Sequence, residues 1–243
     1  MASLHPTVQR EFPATRPSIL TALADPDADI RRAAGDLVAR AYWEPIASTL
    51  RTRWRLERAD AEDLTQEFFA EALAKEWLNR FDPEQARFRS FLRMCVDRFV
   101  AKSRTAATRL KRGGDLVIVS LDDANALPAN ADHDADAHFR QEWIRSVFAL
   151  ALDALRTEAH LAGKDVHVEL FEAYDIADYP GCTRPGYREL AARFGLSETT
   201  VTNHLAWARR TFRRHVLDVL RSLSASDAEF RDDVRELLGI DAS

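Results

Sequence analysis

Residues 187–214 read YRELAARFGLSETTVTNHLAWARRTFRR and contain two short helical patterns on either side of a turn at Gly195. Ser197 is placed to cap the second helix, because its hydroxyl can accept from the free backbone N–H groups of the first turn. The inner stripe of that helix is apolar and consists of Val201, Leu205, Ala208 and Phe212. The segment therefore predicts a helix-turn-helix, which presents its second helix to the major groove of DNA. The alternative is a helical hairpin with a solvated basic face.

The outer side of the second helix supplies the candidate DNA contacts of this segment. Asparagine and threonine side chains can read base edges, whereas arginine pairs with phosphates or with guanine. The candidates are Thr199, Thr200, Asn203, Trp207, Arg210, Arg213 and Arg214. Asn203 lies nearly opposite the apolar stripe and is the expected base contact. Arg210 and Arg214 lie further along the same side, where we expect phosphates.

Charge is segregated along the chain, although the net charge is only −5. The stretches 87–112 and 184–214 are basic, whereas residues 113–138 contain no lysine or arginine and six aspartates. The local sign of charge determines where a phosphate backbone can bind. The negative total therefore does not exclude a nucleic-acid partner.

The stretch 81–112 mixes aromatic and basic residues, a composition that suits single-stranded or melting DNA. Its candidate DNA-binding residues are Arg87, Arg89, Arg93 and Arg104. On a helical wheel, Phe88 and Phe91 fit an apolar stripe, and Arg89 and Arg93 fall on or beside the opposite side. The alternative interpretation is that the rings pack in a core and the arginines form a solvated face.

An acidic segment, DAEDLTQEFF at residues 60–69, is predicted to begin a helix that runs to about Trp77. Asp60 is a suitable N-cap, and acids in the first turn interact favourably with the helix dipole. The polar candidates of this segment are Asp60, Glu62, Asp63, Gln66 and Glu67. Three interpretations are open for them: docking of a basic partner, a metal site and a plain solvated face.

The composition predicts an all-α protein, because Ala, Leu, Arg and Glu dominate while Gly and Pro number only 8 and 9. A chain of 243 residues is long enough for two domains. We predict two helical domains joined by a flexible acidic linker and followed by an extension. Their bounds are 17–112 for the first domain, 113–138 for the linker, 139–222 for the second domain and 223–243 for the extension. Pro26 and Pro45 are expected to break or begin helices.

Several classes of function are not expected from this sequence. It shows no nucleophile–base pair and no glycine loop that would cradle a phosphate, so we expect neither an enzyme nor a cofactor. The acidic segment has no His or Cys beside it, and no metal site is expected. The two cysteines are far apart, which is typical of free thiols in a reducing compartment. No stretch approaches the about 18 apolar residues of a membrane span, and we expect a cytoplasmic protein.

The order of these three segments resembles that of bacterial sigma factors of the extracytoplasmic-function (ECF) type. The acidic segment 60–69 looks like the polymerase-binding helix of sigma domain 2 in that family. Residues 80–92, RFDPEQARFRSFL, are similar to its specificity loop and minus-ten-element helix. Residues 187–197 look like the helix-turn-helix of sigma domain 4, which reads the minus-thirty-five element.

The resemblance implies an alternative sigma factor whose partners are promoter DNA and core RNA polymerase. Asp60, Glu62, Asp63, Gln66 and Glu67 would bind the clamp helices of the β′ subunit, and sigma domain 4 would lie near the β flap. The loop 79–87 would capture a flipped base of the melted strand. The acidic linker would thread toward the active site. An anti-sigma factor or another regulator is a further expected partner.

The chain departs from the family pattern at three places. Val96-Asp97-Arg98 replaces the usual Ala-Arg-Asn, and Thr202-Asn203-His204 stands where Lys-Ser-Arg is frequent, so different base and phosphate contacts are expected. The chain also has additional residues at both ends, and residues 224–243 are predicted to form an amphipathic helix, either a structural lid or a regulator. The alternative function for the whole chain is a dimeric helix-turn-helix regulator that binds duplex DNA without core polymerase.

Overall fold

A computed structural model describes residues 18–75, 77–83, 85–111, 133–177 and 184–239, except the side chains of residues 79, 104–111 and 133–134. Within these ranges the chain is helical and contains no strand, which confirms the predicted all-α class. Residues 113–132 of the predicted linker lie outside the described ranges. None of the described helices is both long and apolar enough to span a lipid bilayer.

Nine α-helices form the framework of the described residues. The helices of the amino-terminal part are α1 (Ile19–Leu23), α2 (Ala28–Thr52), α3 (Arg58–Ala74) and α4 (Phe88–Lys111). Those of the remaining part are α5 (His133–Leu161), α6 (Asp165–Phe171), α7 (Tyr187–Phe194), α8 (Glu198–Leu223) and α9 (Asp227–Leu238). A 3-10 turn at Trp77–Arg80 precedes α4, and a π-helical turn at Glu172–Ile176 follows α6.

The roles of Pro45 and Asp60 differ from those predicted. Pro45 lies buried inside α2 and does not break it. A proline removes one backbone hydrogen bond of a helix, and the packing of the surrounding buried residues holds this helix together in spite of that loss. Asp60 does not cap α3, because the helix begins at Arg58 with Glu57 at the N-cap position. Asp60 lies instead in the first turn, where its charge still favours the helix dipole.

The larger hydrophobic core combines the amino-terminal helices with helices from the end of the chain. It is built by α1–α4, the first half of α5, the last part of α8 and α9. Tyr42 of α2 contacts Phe88 of α4 and Phe139 of α5, with ring centroids 5.9 and 6.3 Å apart. All three side chains are almost completely buried, as is Trp143 of α5. These aromatic contacts pack α2, α4 and α5 into one core.

Helix α5 belongs to both cores and begins earlier than predicted. It starts at His133, so residues 133–138 of the predicted linker are helical. Trp143 packs in the larger core, whereas Leu155 and Ala159 pack in a smaller one. The predicted domain bounds stay predictions, but α5 runs through residue 139, and its first half packs with the amino-terminal helices.

The smaller core holds the predicted helix-turn-helix. It is surrounded by the end of α5, by α6 and α7, and by the first half of α8. Leu190, Val201 and Leu205 are fully buried in it. Phe212 of α8 is half-buried and lies against Phe171, with ring centroids 5.2 Å apart. Because Phe212 also packs against the larger core, α8 links the two cores as α5 does.

Candidate nucleic-acid and polymerase interfaces

The turn and the cap of the helix-turn-helix are those predicted. Gly195 has φ +66°, a left-handed conformation that glycine adopts without the strain of a side chain. The N–H of Leu196 donates to the carbonyl of Ala191 at 2.9 Å. The hydroxyl of Ser197 accepts from the N–H of Thr200 at 3.1 Å. These bonds end α7 and start α8 within three residues of chain, which fixes the angle between the two helices.

Replacing Ser197 by alanine is expected to lower the free energy of unfolding by about 1 kcal/mol, because a backbone N–H of the first turn of α8 loses its acceptor. Urea denaturation followed by circular dichroism measures this difference. Thr199→Ala, at an exposed position in the same turn, is the control and should change the free energy far less. Equal losses in the two variants would contradict the capping role.

The outer side of α8 is exposed above its buried stripe. The exposed candidates are Thr199, Asn203, Arg210, Arg213 and Arg214. Thr200 is half-buried, and its hydroxyl lies 2.8 Å from that of Ser197. The guanidinium of Arg214 donates to the carboxylate of Glu158 on α5. Most of the predicted DNA-binding face is therefore available to a partner in this conformation.

Trp207 packs within the helix-turn-helix unit and is less available than predicted. Its half-buried ring meets His167 of α6 edge-on, with ring centroids 5.2 Å apart, and lies 4.5 Å from the ammonium of Lys164. His167 stacks on His204 of α8 at 3.6 Å. Partial burial lowers the pKa of His167, which favours the uncharged form of its ring. Sequence reasoning missed Lys164 and His167, because no local pattern indicates a contact between α6 and α8.

The acidic segment lies on the exposed side of α3. Its exposed polar residues are Asp60, Asp63, Gln66 and Glu67. Glu62 is half-buried and pairs with Arg58 at 2.7 Å. The opposite side of the helix is buried and consists of Ala61, Thr65, Phe68, Phe69 and Ala72. In the described part of the chain, no three His, Cys, Asp or Glu side chains are arranged to hold a metal ion. The helix presents a row of carboxylates that a basic partner can contact.

The predicted DNA-binding arginines at the start of α4 contact another part of the protein. Arg87 pairs with Asp232 and Glu236 of α9, each at 3.2 Å. Arg89 pairs with Asp233 of α9, also at 3.2 Å. Only 9% of the Arg89 side chain is exposed, so the alternative interpretation that it belongs to a solvated face of α4 is wrong. A helical wheel of α4 alone cannot show that Arg89 is buried, because the residues that cover it belong to α9.

Arg93 belongs to a second internal network, which is centred on Asp97. Arg93 pairs with Asp97 at 3.3 Å and with Asp136 of α5, and 15% of its side chain is exposed. Asp97 also pairs with Arg53 at 3.4 Å and accepts from the indole of Trp54 at 3.3 Å. The acid that departs from the family pattern at position 97 thus ties α4 to the end of α2.

The aromatic residues of the same stretch pack in the core, as one of the two open interpretations predicts. Phe88 is fully buried, Phe81 is nearly so and Phe91 is half-buried. The rings of Phe81 and Phe88 meet edge to face with centroids 5.4 Å apart. These rings are not available for stacking on bases in this conformation. The side chain of the remaining candidate, Arg104, lies outside the described residues.

Burial raises the pKa of Asp233 from 3.8 to about 6, even though the neighbouring Arg89 and Arg87 favour the charged form. The charged and titratable side chains that face it are Arg87, Arg89, Glu229 and Tyr42. Between these two pKa values the folded protein holds a proton that the unfolded chain has released, so lower pH favours folding. We expect this group to reduce the free energy of unfolding as the pH rises from 3.8 to about 6.

Urea denaturation of the wild type and of Asp233→Asn at several pH values across this range tests the expectation. Because asparagine does not titrate, the free energy of unfolding of the wild type should fall relative to that of the variant as the pH rises. Two pH profiles that stay parallel would contradict a raised pKa at this position.

A family model described as ECF sigma factor matches residues 18–218, which is most of the chain. Comparison with curated proteins and with solved structures gives no match. The matched range contains α3, α4 and the helix-turn-helix and ends within α8. Proteins of this family are regulatory DNA-binding proteins that bind core RNA polymerase and promoter DNA. The chain therefore belongs to the ECF sigma factor family and acts as an alternative sigma factor in transcription initiation.

Proposed function

We propose that α3 is the surface through which this sigma factor binds the β′ clamp helices of core polymerase. Asp63, Gln66 and Glu67 are exposed on the side of the helix that faces away from the core, so a partner can reach them without rearrangement. Asp63 and Glu67 lie one helical turn apart, and Asp60 adds negative charge in the first turn. A row of carboxylates of this kind complements a basic surface and favours its approach.

We also propose that α8 enters the major groove of the upstream promoter element. The observation that carries this proposal is the exposed polar row of α8 above a fully buried stripe. Asn203 would read a base edge, since asparagine can form a bidentate contact with adenine. Arg210 and Arg214 would pair with phosphates, and Arg214 would then exchange its contact with Glu158 for a phosphate. The unit that contains α8 would at the same time lie near the β flap.

Arg87, which precedes α4, and three arginines of α4 would bind the melted strand of the minus-ten element. The residues proposed for this contact are Arg87, Arg89, Arg93 and Arg104. Phosphates must compete with carboxylates of the protein for the first three, because each is engaged in an internal ion pair. The proposed contact therefore requires a change in the surroundings of these side chains when the promoter is bound.

Gel filtration with purified core polymerase tests the proposal at the level of the assembly. A sigma factor should elute with core in equal amounts and should elute as a monomer when core is absent. The competing function, a dimeric helix-turn-helix regulator, predicts a dimer that binds duplex DNA and elutes separately from core. That second result would contradict the proposed polymerase contact through α3.

A further inference from the structure

Helix α9 lies outside the range that matches the family, since the match ends at residue 218. It is nevertheless docked on the rest of the protein as an amphipathic helix, as the sequence predicts. Phe230 and Val234 are buried in the larger core. The guanidinium of Arg221 on α8 lies over the ring of Phe230 at 3.7 Å. The apolar side of α9 therefore holds it against the sigma-factor fold.

The opposite edge of α9 carries four acids that face the start of α4. These acids are Glu229, Asp232, Asp233 and Glu236. Their spacing of three and four residues places them along one side of the helix. Glu229 accepts the N–H of Phe88, the first residue of α4, at 2.9 Å. Glu236 pairs with Arg140 of α5 and with Arg87, in the latter case at 3.2 Å.

The contact encloses Arg89 and Asp233 almost completely. Their side chains are only 9% and 4% exposed, and their charged atoms lie 3.2 Å apart. The guanidinium of Arg89 also lies 4.4 Å from the ring of Trp143, which closes its other side. A DNA strand cannot reach Arg89 while α9 is in this position.

The groups that the carboxylates of α9 contact are of the kinds that can bind a phosphate backbone. Guanidinium groups form charge-assisted hydrogen bonds with phosphates, and the free N–H groups at a helix start favour anions. In the described structure, carboxylates of α9 satisfy Arg87, Arg89 and the N–H of Phe88. The acidic edge of α9 thus stands where the phosphates of a bound strand would be.

We propose that α9 is an autoinhibitory segment whose carboxylates compete with promoter DNA for Arg87 and Arg89. This inference rests on the proposed role of these arginines in DNA binding. Helix α9 has 12 residues and is joined to α8 by the short segment 224–226. It contributes Phe230 and Val234 to the larger core, whose other buried residues lie outside α9. In the docked state the sigma factor binds DNA weakly, and release of α9 completes the site.

A single neutral substitution tests the competition. Glu236→Gln removes one carboxylate that faces the arginines, while Phe230 and Val234 keep α9 attached. Asp227→Asn is the matched control, because Asp227 lies on the same helix, carries the same charge and pairs with Arg221 instead. The probe is a labelled single-stranded oligonucleotide of mixed sequence, and its binding to the full chain is measured by fluorescence anisotropy.

We expect Glu236→Gln to bind the oligonucleotide roughly three- to tenfold more tightly than the control, because a larger fraction of the molecules has an uncovered site. The control should resemble the wild type. Equal affinities of the two variants would overturn the proposal. Thermal unfolding of both variants verifies that they are folded at the assay temperature.

Hydrogen exchange in the wild type provides a test that no substitution can disturb. Backbone amides of residues 227–238 should exchange faster when the oligonucleotide is bound, because α9 is displaced. If the oligonucleotide binds and α9 stays as protected as before, α9 is a structural cap, and the proposed DNA contacts through α8 are unaffected. If neither the wild type nor Glu236→Gln binds the oligonucleotide, the proposed role of the α4 arginines fails together with this inference.

Discussion

Reversal of Asp63 and Glu67 to lysine is expected to weaken binding of the chain to core polymerase more than tenfold, because like charges placed across an interface repel each other by several kcal/mol. Both side chains are exposed on α3, on the side that faces away from the core. The double variant should therefore fold as the wild type does and keep its helical circular dichroism. Titration of fluorescently labelled chain with core polymerase measures the affinity.

A second double variant separates this local effect from the change in total charge. Asp36 on α2 and Glu169 on α6 are exposed acids outside α3, and their reversal to lysine changes the net charge by the same amount. The control should bind core polymerase nearly as the wild type does. If the α3 variant binds core polymerase as tightly as the control does, α3 is not part of the polymerase interface.

Substitutions on the outer side of α8 should have two distinguishable effects on promoter binding. Asn203→Ala is expected to lose about 1–3 kcal/mol of binding free energy at one base position and to relax the base preference there. Arg210→Ala should weaken binding to all sequences alike, and the salt dependence of its affinity should correspond to about one released counterion fewer. Selection of binding sites from a random duplex library, repeated at two salt concentrations with the reconstituted holoenzyme, measures both quantities.

The whole chain is required for this selection. Because the first half of α5 packs in the larger core, a fragment that begins near residue 140 would lose the partners of Trp143 on α2 and α4. Arg51→Ala, at an exposed position on α2, serves as the matched control and should change neither preference nor salt dependence. Unchanged base preferences in Asn203→Ala, with altered preferences in Arg210→Ala, would mean that α8 lies in the groove in the reverse orientation.

The helix-turn-helix could be predicted from the sequence because its determinants are local. Gly195 supplies the left-handed residue of the turn, and Ser197 supplies the cap. The buried stripe of α8 follows the helical period from Val201 to Ala208. Each of these signals spans only a few residues, so a single sequence contains all the information needed to predict the helix-turn-helix.

The surroundings of Arg89 could not be predicted in the same way. Its partner Asp233 lies 144 residues further along the chain, and nothing within α4 indicates that contact. The wheel of α4 correctly separates an apolar side from a basic one, but it cannot tell a solvated face from a covered one. Likewise, the stacking of His204 on His167 depends on the packing of α6 against α8, which no local pattern in either helix specifies.

Run-off transcription with purified core polymerase on a library of genomic fragments measures directly whether the chain directs initiation. A sigma factor should give discrete transcripts that appear only when the chain is added and whose start sites share two upstream elements. The Asp63→Lys, Glu67→Lys double variant should reduce all of these transcripts, whereas the Asp36→Lys, Glu169→Lys control should not. The function as a sigma factor would be contradicted if core polymerase alone gave the same transcripts. It would also be contradicted if a folded chain bound duplex DNA by itself and gave no new transcripts.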